Sequence, residues 1–150
     1  MSSRDRVPEH TSAEINQRIE DQIRERIDYF TSNPTRIDRR LRELDEEWDV
    51  ERTLEANSAI LSLFGLTMGF TVNRRWLLLP LAVQSFFLQH AIQGWCPPLP
   101  ILRRYGFRTS EEIEKERTAL KAIRGDFQEI SEVRSSGEPK VEAVWQAVSH

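Results

Sequence analysis

Few residues of this chain have the type and spacing to do chemistry, and Cys96 is the foremost. It is the single cysteine among 150 residues. It follows Gly94-Trp95 and precedes Pro97-Pro98-Leu99-Pro100. Prolines end a helix there, because they lack the N–H that a helix needs. Arg103 and Arg104 follow shortly, and nearby cations favour the thiolate form. On one reading Cys96 is a reactive thiol that accepts persulfide sulfur. On the other it is a small packing residue at a helix end, since free cysteine is often buried and inert. One cysteine excludes an internal disulfide and a Cys-only metal site. His10, His90 and His150 are too scattered for a metal constellation. There is no Gly-rich phosphate loop, no Ser/His/Asp signature and no paired carboxylate in the apolar stretch. The expectation is a non-enzymatic chain with no cofactor and no metal.

The elements that position these residues follow from the distribution of charge. The composition is 39% hydrophobic and 30% charged, with a formal net charge of −3. That balance gives no argument for nucleic acid, which selects for excess Lys and Arg. The average conceals a segregation: between Ala56 and Leu102 the only charged residues are Arg74 and Arg75. Four parts result. Residues 1–11 read as a polar, disordered tail, with no signal peptide visible. Residues 12–55 are charged and helical, residues 56–102 apolar, and residues 103–150 charged and helical with a break near 135–139.

In the first charged part, Thr11 and Glu14 fit a capping box. Ile15, Ile19, Ile23 and Ile27 recur every fourth position, as on one helix face. Asn33-Pro34 interrupts that helix. Ile37, Leu41, Leu44 and Trp48 then form a short heptad-like seam. In the last part, Thr109 and Glu112 fit a second capping box. Ile113, Leu120, Ile123, Phe127 and Ile130 follow as a stripe. Val141, Val144, Trp145 and Val148 mark a short terminal amphipathic piece.

The apolar block predicts a two-helix transmembrane hairpin, with spans at 56–72 and 76–95 joined by Asn73-Arg74-Arg75. A bilayer core needs about 20 helical residues, with a range of about 17–25. Trp76 and Trp95 bracket the second span as interfacial aromatics do. Ser58, Ser62, Gly65 and Gly69 form a small-residue face for close helix packing, within the hairpin or across a homodimer. Ser85, Gln89 and Gln93 form a polar stripe, which should face another helix or a wet cavity. Basic residues near the span ends place both termini in the cytoplasm. Arg103, Arg104 and Arg108 are expected among anionic headgroups.

The run Cys96-Pro97 with Gly106 and Thr109 downstream, preceded by Glu51-Arg52 before the first span, resembles the YgaP-like transmembrane domain family over about residues 50–109. That resemblance implies a bacterial inner-membrane two-helix hairpin, often a homodimer, with no settled activity. Some members are fused to a rhodanese sulfur carrier, which is absent here.

The sequence therefore predicts an all-α chain, a transmembrane hairpin flanked by amphipathic cytoplasmic helices. Its expected function is a small multi-pass inner-membrane protein, a self-associating anchor or scaffold for a cytoplasmic partner. The alternatives are a membrane component of sulfur trafficking through Cys96 and a soluble helical regulatory protein. The expected partners are the lipid bilayer, a second copy and a cytoplasmic protein.

Overall fold

The computed structural model describes residues 6–127, which are helical throughout apart from turns and short connections. The expected all-α class is observed. The terminal amphipathic piece, the break near 135–139 and Ile130 lie outside the described residues.

Seven α-helices run in order among the described residues: α1 Arg6–Glu9, α2 Ala13–Ser32, α3 Ile37–Glu46, α4 Val50–Thr71, α5 Leu78–Gln93, α6 Leu99–Arg104 and α7 Ser110–Arg124. Short 3-10 turns at Pro34–Arg36 and Arg74–Leu77 precede α3 and α5. Asn33-Pro34 ends α2 as expected, because Pro excludes a helical conformation from the residue before it. The chain forms two compact units. Among the described residues, the first comprises residues 6–22 and 47–113, and the second residues 23–46 and 114–127.

The first unit has an apolar centre of Val7, Val50, Leu54, Cys96 and Leu99, against which Phe87, Leu102 and Phe107 pack. Val7 belongs to α1, so part of the segment expected as a disordered tail is a helical turn in this core. The expected Thr11–Glu14 capping box is replaced by other bonds. The Thr11 hydroxyl donates to the Val7 carbonyl at 2.8 Å and accepts from Arg103 Nε at 3.2 Å.

The second unit joins the later part of α2, α3 and most of α7. Ile37, Leu41 and Leu44 of the predicted seam are buried. Trp48 is not; it lies beyond the end of α3, and the Arg52 guanidinium sits 4.5 Å over its ring. Glu116 is wholly buried and accepts from Arg26 of α2 at 3.2 Å and Arg40 of α3 at 2.8 Å. Asp38 and Asp45 on α3 add pairs to Arg124 and Arg117 of α7.

α4 and α5 form the predicted antiparallel hairpin, but their lengths differ from the expectation. Asp49 caps α4 by accepting from the Arg52 amide at 2.7 Å. The helix thus starts inside the charged region, and its first turns carry Glu51, Arg52, Glu55 and Asn57. α5 has 16 residues. At ~1.5 Å per residue that is about 24 Å, short of the ~30 Å hydrocarbon core. Trp76 and Leu77, expected inside the second span, belong to the 3-10 turn. Among the described residues, no helix is long and apolar enough to cross a membrane. The expected transmembrane spans are therefore corrected. So are the multi-pass inner-membrane placement with cytoplasmic termini and the integral-membrane anchor built on it.

The small-residue face of α4 is turned towards α5. A Cβ on Gly65 would lie 2.5 Å from Pro80 Cδ, and one on Gly69 would lie 2.8 Å from Leu77 Cγ. Ser58 is buried beside its own helix, and the Ser62 hydroxyl accepts from Gln84 Nε2 at 2.8 Å. Gly65→Leu should therefore force the hairpin apart and cost about 1–3 kcal/mol as overpacking does. Urea denaturation followed by circular dichroism measures this. Ser85→Ala, which alters an exposed side chain, should stay within about 0.5 kcal/mol of the parent.

Candidate functional site

Cys96 lies where α5 has just ended. Gly94 closes that helix with φ +79°, and its amide donates to the His90 carbonyl at 2.7 Å. This left-handed conformation suits glycine. A side chain there would also strike the backbone of Arg6, with a Cβ 2.7 Å from its carbonyl carbon. The chain then turns through Pro97-Pro98 into α6. Cys96 is 2% exposed and forms part of the apolar centre. Burial pushes its thiol above the usual range, partly opposed by the Leu99 amide. Beside it is a cavity of about 210 Å³ between α4, α5 and the proline turn, lined mainly by apolar groups such as Leu54, Leu61, Phe86 and Phe87. These are the surroundings of a packing residue; a sulfur-accepting thiol requires stabilised thiolate and access.

The arginines expected at headgroups occupy different places. Arg103 is fully buried. Its Nη1 and Nη2 each donate to Glu112 at 2.7 Å, a bidentate pair. It further donates to Asn16 Oδ1 at 3.0 Å and the Phe107 carbonyl at 3.0 Å. Arg108 is 3% exposed and its Nε donates to Glu47 at 2.7 Å. Neither side chain faces outward, so the expected basic surface reduces to Arg104, which is exposed. A buried guanidinium must have its donors satisfied, and this requirement draws both side chains inward.

Glu112 also completes the capping box predicted at Thr109. The Thr109 amide donates to Glu112 Oε2 at 2.8 Å, and the Glu112 amide donates to Thr109 Oγ1 at 3.2 Å. Burial alone would raise the Glu112 carboxyl. The Arg103 bonds, the Thr109 amide and the charges of Arg103 and Arg108 outweigh it and hold the group below the usual range.

Among the described residues, the polar stripe of α5 bonds to no neighbouring helix, and Gln89 Nε2 donates to Gln93 Oε1 at 3.4 Å. Ser85 and Gln93 are exposed and Gln89 is half-buried. Ser85 donates to the Leu81 carbonyl of its own helix. The interhelical bond falls to Gln84, one position off the stripe.

On the outer surface of the hairpin the side chains are apolar and open. Phe70 is 80% exposed, and Ile60, Leu63, Leu78, Leu81 and Ile92 are each over 60% exposed. Phe64 and Trp76 meet edge to face near the turn, at 5.8 Å between ring centres. Monomer surfaces rarely carry a continuous apolar patch beyond a few hundred Å².

A second polar group was missed in the sequence. Arg6, Glu51, Glu55 and His90 line a cavity of about 210 Å³ with Val7, Phe87, Ala91 and Gly94. Glu51 entered the sequence reading only as half of Glu51-Arg52, and His90 only as an isolated metal-ligand candidate. Their spacing carries no motif; α1, α4 and α5 bring them together. Burial, with the charges of Asp49 and Glu112, raises the Glu51 carboxyl against bonds from its own amide and that of Ser110. Burial first, and then the Arg6 charge, lower the His90 imidazole. Among the described residues, no three His, Cys, Asp or Glu side chains are placed to hold a metal ion.

No family model, curated protein or solved structure matches the chain. Nothing in these comparisons identifies a YgaP-like family.

The carboxyl shifts give a pH dependence with opposite signs. A depressed carboxylate stabilises the fold above its unfolded value, near 4.5 for Glu112, and that stability is lost as pH falls through the lower folded value. A raised carboxyl such as Glu51 is penalised while ionised, so acid relieves it. Glu112→Gln should lower the neutral-pH melting temperature and flatten the acid limb, whereas Glu51→Gln should raise it. Arg103→Ala should cost about 3–5 kcal/mol, as expected when one partner of a buried pair is removed. Melting curves across pH check all three.

Proposed function

We propose that this chain is a non-catalytic helical interaction protein of the regulatory kind, and that it self-associates through the outer face of the α4–α5 hairpin. The carrying observation is the set of exposed large apolar side chains on both helices, Phe70, Leu63, Leu78 and Leu81 among them. Burying such surface is worth about 25 cal/mol per Å² before the costs of association. One partner of a standard interface contributes about 800 Å², and both hairpin helices carry several open apolar side chains.

A second copy fits this surface better than a charged partner. From Ala56 to Leu102 the only charges are Arg74 and Arg75 at the turn. The face therefore offers no charge pattern to select an unlike protein and little to repel its own copy. Two-fold contacts use the same patch on both subunits and so require self-complementarity. Apolar groups meet that requirement. So does the exposed amide of Gln93 on the α5 stripe, since a Gln side chain both donates and accepts. The burial of Cys96 and the upward push on its thiol support an interaction role over sulfur transfer.

Light scattering on the full chain during size exclusion should give a dimer. Joint replacement of Phe70 and Leu81 by Ser should shift it to monomer and weaken association at least ~100-fold, as loss of two central anchors does. A monomeric parent, or variants that dimerise as the parent does, would overturn the reading. Binding to lipid vesicles by a monomeric parent would assign the face to lipid instead.

A further inference from the structure

Opposite charges stand at the two ends of α4. Glu55 lies near the start of the helix, and Arg74 and Arg75 lie in the 3-10 turn that follows it. All three are exposed. Among the described residues, none of them takes part in an ion pair. The neighbouring cation Arg52 is held over the Trp48 ring, 4.5 Å from its centre.

A line of apolar side chains runs between these charges. Glu55, Ala59, Leu63, Leu66 and Phe70 are spaced 4, 4, 3 and 4, which keeps them on one face of the helix. Each is exposed. Gly65 and Gly69, which meet Pro80 and Leu77, lie on a different face. The line is therefore not the one that closes the hairpin.

The order of residues along this line complements its own reverse. A two-fold axis perpendicular to α4, midway between Leu63 and Leu66, sets residues equidistant from that point opposite each other. Leu63 then meets the partner's Leu66. Phe70, the largest side chain on the line, meets the partner's Ala59, the smallest, so that ring and gap interdigitate. Glu55 meets the partner's Arg74, with the partner's Arg75 beside it. A parallel pair reverses the electrostatics: arginines stand against arginines, and carboxylate against carboxylate. Juxtaposed like charges suppress a wrong arrangement, and complementary ones fix register.

We propose that two copies pair antiparallel along residues 55–70 of α4, with Glu55 of each copy bound to Arg74 and Arg75 of the other. This rests on the self-association proposed above and adds its direction and register. The apolar side chains supply contact area that either direction would bury. The charges at the two ends select one direction.

The test measures dimer affinity of the full chain by analytical ultracentrifugation at low ionic strength. Glu55→Lys, and separately Arg74→Glu with Arg75→Glu, should each weaken the dimer at least ~10-fold, because the two-fold axis makes each change act twice. All three changes in one chain reverse both partners and should restore affinity to within ~3-fold of the parent. Reversals at one end that leave affinity unchanged would overturn the antiparallel pairing and leave self-association standing. A combined variant as weak as the one-end variants would do the same. A monomeric parent would overturn both readings. A second measurement needs no change of charge: pulsed EPR between nitroxide labels on Val72→Cys, an exposed position at the end of α4. Cys96 is buried and stays unlabelled. The antiparallel register separates the two labels by about 22 Å along the helix axis. Labels lying side by side would overturn it, even where a charge variant folds poorly.

Discussion

A guanidinium that cannot lose its charge lies with no exposed surface inside the first unit. Arg103 therefore dictates what must surround it. Glu112 supplies both carboxylate oxygens, Asn16 and Thr11 supply side-chain oxygens, and Phe107 supplies a carbonyl. Each acceptor fixes a different piece of chain: the start of α2, the turn after α6, and the cap of α7. If α7 slipped by one turn, Glu112 would leave both the cap and the arginine. Buried ion pairs add little net stability over apolar packing, yet breaking one is costly. The effect of Arg103 is thus to penalise alternative arrangements of these segments.

The same device recurs with its sign reversed in the second unit. There a carboxylate, Glu116, is wholly buried, and cations from α2 and α3 reach it. Apolar stripes alone would hold these helices loosely, since Ile, Leu and Val tolerate sliding. Directional pairs at Glu116, Asp38 and Asp45 fix the register that the narrow stripes leave open.

Local features were legible in the sequence because their causes are local. The Asn33-Pro34 break, the buried seam of Ile37, Leu41 and Leu44, and the Thr109–Glu112 capping box each depend on residues a few positions apart. Thr11–Glu14 had the same local pattern, but the Thr11 hydroxyl is engaged by a nearby carbonyl, that of Val7, and by a distant cation, Arg103. Arg103 and Arg108 read as surface charges because a sequence shows the charge and not its partner. The hairpin was legible as two antiparallel apolar helices, but its helix boundaries were not. Asp49 starts α4 among charged residues, and a 3-10 turn takes Trp76 and Leu77 from α5. The first shift puts charged residues into α4, and the second shortens α5 to 16 residues; length and apolar character together decide whether a helix can cross a membrane.

The cavity of Glu51 and His90 escaped the sequence for a different reason: its residues share no element and no spacing rule. Its significance also differs from that of the hairpin surface, although both are unsatisfied. Exposed apolar side chains cost free energy in proportion to area, and any apolar cover relieves that cost. Such a surface states how much contact is wanted and says little about with whom. An unpaired buried acceptor is directional and is relieved only by a donor at the right place. The exposed hairpin side chains thus set an amount of apolar surface, whereas an unpaired polar atom sets a direction. Arg103, Arg108 and Glu116 each meet opposite charge at hydrogen-bond distance, and among the described residues Glu51 Oε2 and His90 Nδ1 are the exceptions to that pairing.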